Sequence, residues 1–221
     1  MKFGGSSVAD AGRILAVVEV VRAHLGRRPV VVVSALAGVT DLLLAAVDAA
    51  GRGDRESLDP ILADLERRHR WALAGSIEDP RRRHDLSLEM DALFEDLRQL
   101  LRAVRILGEG TPRSSDALLA FGETLSSRIL RAALEEKGIR AGLVDARKVV
   151  ITDARHGAAE PDLAGIAEGA RRWLIPALER GETPVLGGFV GATREGRTTT
   201  LGRGGSDTSA AAIGSALGAE E

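Results

Sequence analysis

A chain of 221 residues with 44% hydrophobic residues and a formal net charge of −2 suits one large domain or two small ones, and gives no electrostatic reason to expect nucleic acid or an anionic membrane as a partner. It contains no cysteine, which excludes disulfides and thiolate metal sites. No apolar run approaches the roughly 20 residues that span a bilayer, and the start lacks a signal peptide's basic-then-apolar pattern, so a cytoplasmic protein is expected.

The chain opens on a glycine element, Lys2-Phe3-Gly4-Gly5-Ser6-Ser7. Ser7 to Asp10 resembles a capping box. Ile14, Val17, Val18, Val21 and Leu25 then recur at helical spacing, with Gly26 as the expected stop. Residues 30–33 are four consecutive valines, the pattern of a strand buried on both faces of a parallel sheet. A loop over 34–40 and a helix over 41–50 follow, which is the strand–loop–helix order of an α/β fold. Residues 56–107 are charged, poor in glycine and helical in period, and read as a helical insertion or subdomain. The arginines at 67, 68, 70, 81, 82 and 83 are interleaved with Glu66, Glu78, Asp79 and Asp85, so they read as a solvated helix face. Further on, the pattern predicts a long helix over 114–137, a strand near 139–144, an extended piece at 149–152 and a helix over 161–178. Residues 183–190 read as a strand ending in a glycine turn, 198–201 as a β-rich run, and 210–217 as a helix.

The candidate chemistry lies in the loops. Leu201-Gly202-Arg203-Gly204-Gly205-Ser206-Asp207 is a glycine-rich loop feeding a helix, an arrangement that suits an anion. Arg203 supplies a fork for a carboxylate or phosphate, and Asp207 a carboxylate able to hold a cation. Among the 30 basic residues only Lys2, Lys137 and Lys148 are lysine, and Lys2 stands beside Gly4-Gly5, where a compact charge could follow a migrating phosphoryl group. Glu123 reads either as a surface acid or as a carboxylate for an ammonium, and Gly122 beside it hints at close approach by another group. Ser34 and Thr40 could donate to an anion or simply cap the next helix. The histidines at 24, 69, 84 and 156 show no metal-ligand spacing.

Taken in order, Lys2-Phe3-Gly4-Gly5-Ser6-Ser7-Val8, the run from Ser34 to Asp41, Phe121-Gly122-Glu123, Asp145-Ala146-Arg147-Lys148, Gly188-Phe189-Val190-Gly191 and the run from Gly196 to Asp207 closely resemble the aspartate kinases of the amino-acid kinase superfamily. The helical segment and Glu160-Pro161-Asp162 look most like the lysine-sensitive and bifunctional branches. The resemblance implies a three-layer α/β/α sandwich of the carbamate-kinase type, with a mostly parallel sheet. It implies phosphorylation of the L-aspartate side-chain carboxylate by ATP, the entry step to lysine, threonine and methionine synthesis. Lys2 and Asp207 would be catalytic, with Lys2, Phe3, Gly4, Gly5 and Ser6 around the phosphates. Ser34, Thr40, Glu123, Arg203, Gly205 and Ser206 would bind substrate, Glu123 taking the ammonium and Arg203 the α-carboxylate. Mg2+ would arrive on the ATP phosphates without a direct protein ligand. Residues 1–221 would form the kinase catalytic domain, with a helical insertion at about 56–112 and without the family's C-terminal nucleoside-binding part and regulatory domains; full-length relatives would be homo-oligomers. Two alternatives stay open: a superfamily kinase with another substrate, and a non-catalytic assembly module.

Overall fold

The computed structural model describes residues 1–220. Four parallel strands form the central sheet: β1 (Lys2–Phe3), β2 (Val31–Val33), β3 (Ala141–Leu143) and β4 (Thr183–Gly187), in the order β1-β2-β4-β3. Three of the four valines, Val31–Val33, form an interior strand with every residue buried, as the composition predicts, while Val30 precedes it and is half-buried. The strand's side chains alternate between two apolar cores, as the two-residue strand period requires. Val31, Val33 and Val185 of β4 face the larger core, whereas Val32 and Leu186 face the smaller one. Helices cover both faces, so the expected three layers are present. A second, antiparallel ribbon pairs β5 (Val190–Ala192) with β6 (Thr198–Thr200).

The larger core is built by α1 (Ala11–Ala23), α2 (Val39–Gly51), α3 (Arg55–Ser76), α4 (Pro80–Leu107), α5 (Pro112–Leu119) and α6 (Phe121–Glu136). The charged stretch folds as the long α3 and α4, with Leu58, Leu65, Leu86, Met90, Leu97 and Val104 turned inward at helical spacing. Asp54 and Asp79 cap the two N-termini through their side chains, and Gly108, at φ 73°, ends α4. The two helices share the larger core with α1, α2 and α6, without building a separate one.

Several local expectations are corrected. Ser7 does not open a capping box: it lies in a 3₁₀ turn, and Asp10 caps α1 by accepting from the Arg13 N–H at 2.9 Å. α1 stops at His24, before Gly26, which lies in a following 3₁₀ turn that Arg28 ends at φ 50°. The single helix expected over 114–137 is α5 and α6, broken at Ala120. Pro161 does not start a helix: it bridges to Thr152, and α7 (Leu163–Gly169) begins after Asp162, whose side chain caps it. A π-helical turn over Ala170–Leu174 leads into α8 (Ile175–Glu179). Pro176 has no N–H to return to the Arg172 carbonyl, which explains the wider turn just before it. The last helix, α9 (Gly205–Leu217), starts five residues earlier than the apolar pattern suggests, inside the glycine loop itself. α7 and α9 pack in the smaller core through Ile166, Ala212 and Ile213.

Candidate functional site

β1, β2 and β4 end at Phe3, Val33 and Gly187, and the chain turns there through Gly4-Gly5, Ser34-Ala35 and Gly188-Phe189. This is the end of a parallel sheet where α/β folds hold ligands. Gly4 precedes a 3₁₀ turn over Gly5–Val8. A Cβ on Gly5 would stand 2.9 Å from the Ala35 carbonyl oxygen, so a side chain there would push the two loops apart. Across from this turn, α9 begins after Gly204, which adopts the left-handed φ of 74°. Asp207 lies in the first turn of α9, and its Oδ1 is 2.8 Å from Lys2 Nζ. A Cβ on Gly4 would come within 3.5 Å of the same Nζ, so the ammonium sits over the Gly4 backbone. The lysine is 26% exposed and the aspartate 73%, which leaves the pair open to a ligand. The two glycine elements from opposite ends of the sequence thus meet through one ion pair.

The Gly188-Phe189 turn packs against the start of α9. A Cβ on Gly188 would lie 2.8 Å from Ser206 Cβ, and one on Gly205 would lie 2.9 Å from the Phe189 ring. Phe189 itself holds φ at 62°, a conformation that costs a non-glycine residue about 1 kcal/mol or more. It is held there from both sides. Its N–H donates to Ser209 Oγ at 3.2 Å, and its carbonyl accepts from the Leu201 N–H at 2.9 Å.

Glu123 is in the first turn of α6 and is 3% exposed. Glycines make its burial possible. Gly122 lets α6 approach Ala35, where a Cβ would meet the Ala35 Cβ at 2.8 Å, and Gly187 lets β4 pass the Glu123 Cβ at 2.6 Å. Glu123 Oε1 accepts from the Ala35 N–H at 3.1 Å, while Oε2 is buried with no hydrogen-bond partner among the described residues. Burial raises the pKa to about 8, against the lowering effect of the Ala35 hydrogen bond. The carboxyl is therefore mostly protonated at neutral pH until a cation reaches it. It borders a cleft of about 220 Å³ walled also by Thr124, Ser127, Arg128, Asp145, Arg147, Lys148 and Gly187.

The structure brings Lys2, Gly4 and Asp207 together, sets Ser206 against Gly188, and joins Glu123 to the loop after β2. Ser34 is half-buried, and its carbonyl accepts from Ser126 Oγ at 2.8 Å. Thr40 is half-buried in the first turn of α2 and does not cap it; Gly38, at φ 75°, holds the cap position. Arg203 and Glu123, expected around a common cavity, are less closely joined. The loop of Arg203 reaches the same sheet end, but the guanidinium is exposed, makes no ion pair with a described residue and is not among the walls of the Glu123 cleft.

Sequence reasoning assigned no role to Arg128, Asp145, Arg147 or Lys148, although the run from Asp145 to Lys148 was legible as a motif. Burial pushes the Asp145 carboxyl up, but the hydrogen bonds from Arg147, at 2.8 and 2.9 Å, outweigh it and hold the pKa below the usual value. Lys148 Nζ lies 4.4 Å from the Trp173 ring centroid. Asp116 was also missed, a wholly buried carboxylate with no motif around it. Among the described residues there is no group of three or more acids, histidines or cysteines able to hold a metal, and no helix long and apolar enough to cross a membrane.

The profile of the amino acid kinase family matches residues 1–221. Lysine-sensitive aspartokinase 3 of Escherichia coli (strain K12) is 37% identical over 98% of this chain and 46% of its own length. Aspartokinase 3, chloroplastic, of Arabidopsis thaliana is 36% identical over the whole chain and 39% of its own length. The chain thus spans less than half the length of these curated relatives. Among solved structures, E. coli aspartokinase III in complex with aspartate and ADP superimposes with a TM-score of 0.90 at 34% identity, over the whole chain and 47% of that structure. The same enzyme in complex with lysine and aspartate also gives a TM-score of 0.90, at 35% identity.

Proposed function

We propose, from the premise that this chain belongs to the amino acid kinase family, that it carries the aspartate-binding and phosphate-cradling part of an aspartate kinase. The observation that carries the reading is the Lys2–Asp207 contact between the two glycine elements, with the buried, half-satisfied Glu123 at the same sheet end. In this reading a side-chain carboxylate oxygen of L-aspartate attacks the γ-phosphorus of ATP. The bond from that phosphorus to the β–γ bridging oxygen breaks, and ADP and 4-phospho-L-aspartate leave. The protein supplies position and charge, with no covalent chemistry of its own. Lys2, held by Asp207 over Gly4, follows the charge of the migrating phosphoryl group. The N-terminus of α9 and the backbone around Gly4-Gly5, with Phe3 and Ser6 beside it, face the phosphates. Ser34, Thr40, Gly205 and Ser206 line the substrate's path. A magnesium ion carried on the nucleotide phosphates would neutralise part of their charge.

Glu123 is the ammonium partner. Its Oε2 has no other partner, and an arriving cation converts the protonated carboxyl to a carboxylate. Arg203, exposed and unengaged by the described residues, is free to swing its fork to the α-carboxylate. We take the cytoplasm as the setting and a homo-oligomer as the working assembly. Calorimetry with L-aspartate and with ATP separately tests the reading. Aspartate should bind, and Glu123→Gln should abolish that binding without unfolding the chain. Equal binding of L-glutamate, or aspartate binding that survives Glu123→Gln, would overturn it.

A further inference from the structure

We propose that Asp116 is a positioning residue for the loop that carries Arg203, a role that rests on the aspartate reading above. Asp116, on α5, is 0% exposed and accepts hydrogen bonds on both carboxylate oxygens. Oδ1 accepts from Thr200 Oγ1 at 2.5 Å and from the Gly157 N–H at 3.0 Å. Oδ2 accepts from the same N–H at 3.1 Å and from His156 Nδ1 at 2.7 Å. These donors belong to two separate segments. Thr200 is the last residue of β6, immediately before the glycine loop, and His156-Gly157 is the tip of the turn after residue 153.

Both segments bear on the loop. The Thr200 carbonyl accepts from the Ala159 N–H at 2.9 Å, which ties the strand end to the turn. Gly202, at φ 72°, lies so close to the turn that a Cβ would stand 3.1 Å from the Gly157 carbonyl oxygen. On the loop's other side the Leu201 N–H donates to the Phe189 carbonyl. Residues 201–204 are thus held between the strained Phe189 turn and the His156-Gly157 turn, and Asp116 fastens the second wall to the strand that enters the loop. Arg203 is exposed and makes no ion pair of its own with a described residue, so the placing of its backbone decides where its guanidinium can reach. Asp116 is not among the walls of the Glu123 cleft and acts only through the loop.

A carboxylate suits this place because both its oxygens accept. An amide presents an acceptor on one side only: its NH2 replaces the oxygen facing either Thr200 Oγ1 or His156 Nδ1, and the Gly157 N–H, shared between both oxygens at 3.0 and 3.1 Å, keeps one acceptor and meets a donor at the other. The test compares L-aspartate with β-alanine, which is aspartate without its α-carboxylate, by titration of the purified chain followed by ligand-observed NMR. Asp116→Asn should weaken aspartate binding roughly tenfold, the size expected for one misdirected buried hydrogen bond, and leave β-alanine unchanged. Thr200→Val, which removes one donor at constant shape, should move the same ratio in the same direction, and Thr200→Ser should restore it. If Asp116→Asn does not fold, the Thr200 pair carries the test alone. In an Arg203→Lys background the Thr200 and Asp116 substitutions should add nothing further. Equal weakening of both ligands, or no change in either, would overturn the positioning role. A ratio unmoved by Arg203→Lys itself would instead overturn the assignment of the α-carboxylate to Arg203.

Discussion

The α3–α4 pair and the C-terminal end of the sheet each bury a titratable side chain with one polar atom left unpartnered. In the helical pair it is His69, wholly enclosed, with its ring 5.7 Å from Phe94 and edge-on to it. His69 Nδ1 lies 2.7 Å from the Leu65 carbonyl, which can only accept, so Nδ1 carries the hydrogen and Nε2 is the unpartnered acceptor. At the sheet end it is Glu123, with Oε2 unpartnered. Burial acts on both by the same physics, disfavouring the charged form. It lowers His69 to about 4 and raises Glu123 to about 8. The surroundings differ. His69 is wholly enclosed with its ring against Phe94, whereas Glu123 borders a cleft beside Arg128 and Lys148. Of the two unsatisfied buried atoms, only that of Glu123 borders space that a ligand could enter.

The comparison has opposite signs in pH, which gives the largest test. Glu123 ionises near 4.5 when unfolded and about 8 when folded, so the folded state holds the extra proton between those values. Its contribution to stability is present below pH 4.5 and is lost as pH rises through 8, by about 5 kcal/mol in all. Glu123→Gln should remove that decline, measured as urea midpoints of the unliganded chain from pH 4.5 to 8.5. A decline of the same size in the variant would mean that other groups cause it and that Glu123 does not hold the extra proton. His69 runs the other way. Its folded pKa is depressed, so its contribution is present above 6.5 and is lost as pH falls to about 4, by about 3 kcal/mol. The two slopes oppose each other between pH 4.5 and 6.5. His69→Leu should expose the Glu123 decline across that whole window and leave aspartate affinity unchanged. An altered affinity would mean that the helical pair and the site are coupled.

The ion pairs of the two regions sharpen the contrast. If Lys2 acts on the phosphoryl group as proposed, Lys2→Arg in a form of the protein that turns over aspartate should lower kcat roughly 100-fold or more while the KM for aspartate holds. Near-normal turnover would reduce Lys2 to a surface residue. The smallest effect is expected at the α3–α4 surface, where Arg98 pairs with Glu66. Arg98→Ala should change stability by less than about 1 kcal/mol, as exposed pairs do, and thermal melts at low and high salt would detect a larger dependence.

Much of the sheet and of the glycine elements was readable because their signals are local. The run of valines marked a buried strand, formed by Val31–Val33, and the glycines at 4, 5, 202 and 204 marked close backbone turns. The readings that failed turned on choices between adjacent alternatives. Ser7 and Asp10 are both good caps, and the turn after Phe3 spent Ser7 on a 3₁₀ segment. The apolar pattern placed the start of α9 near Ala210, because nothing in a Gly-Gly-Ser-Asp run has a helical stripe, yet the helix begins at Gly205. Glu123 read as either a surface acid or an ammonium ligand, and its environment had to come from Ala35, Gly187 and the cleft, all distant in sequence. Arg128 and Asp116 carried no local mark at all.

What the sequence alone determined is therefore the strand–loop–helix class, which rests on spacing within a few residues, and the family with the three layers that the resemblance implies, which rest on motifs in series. The tertiary structure decided the charges of the site. Whether Lys2 meets Asp207, whether Glu123 is protonated, and whether Arg203 is already engaged depend on distance and burial. Those follow from packing between segments far apart in sequence, and electrostatic energy changes steeply with both.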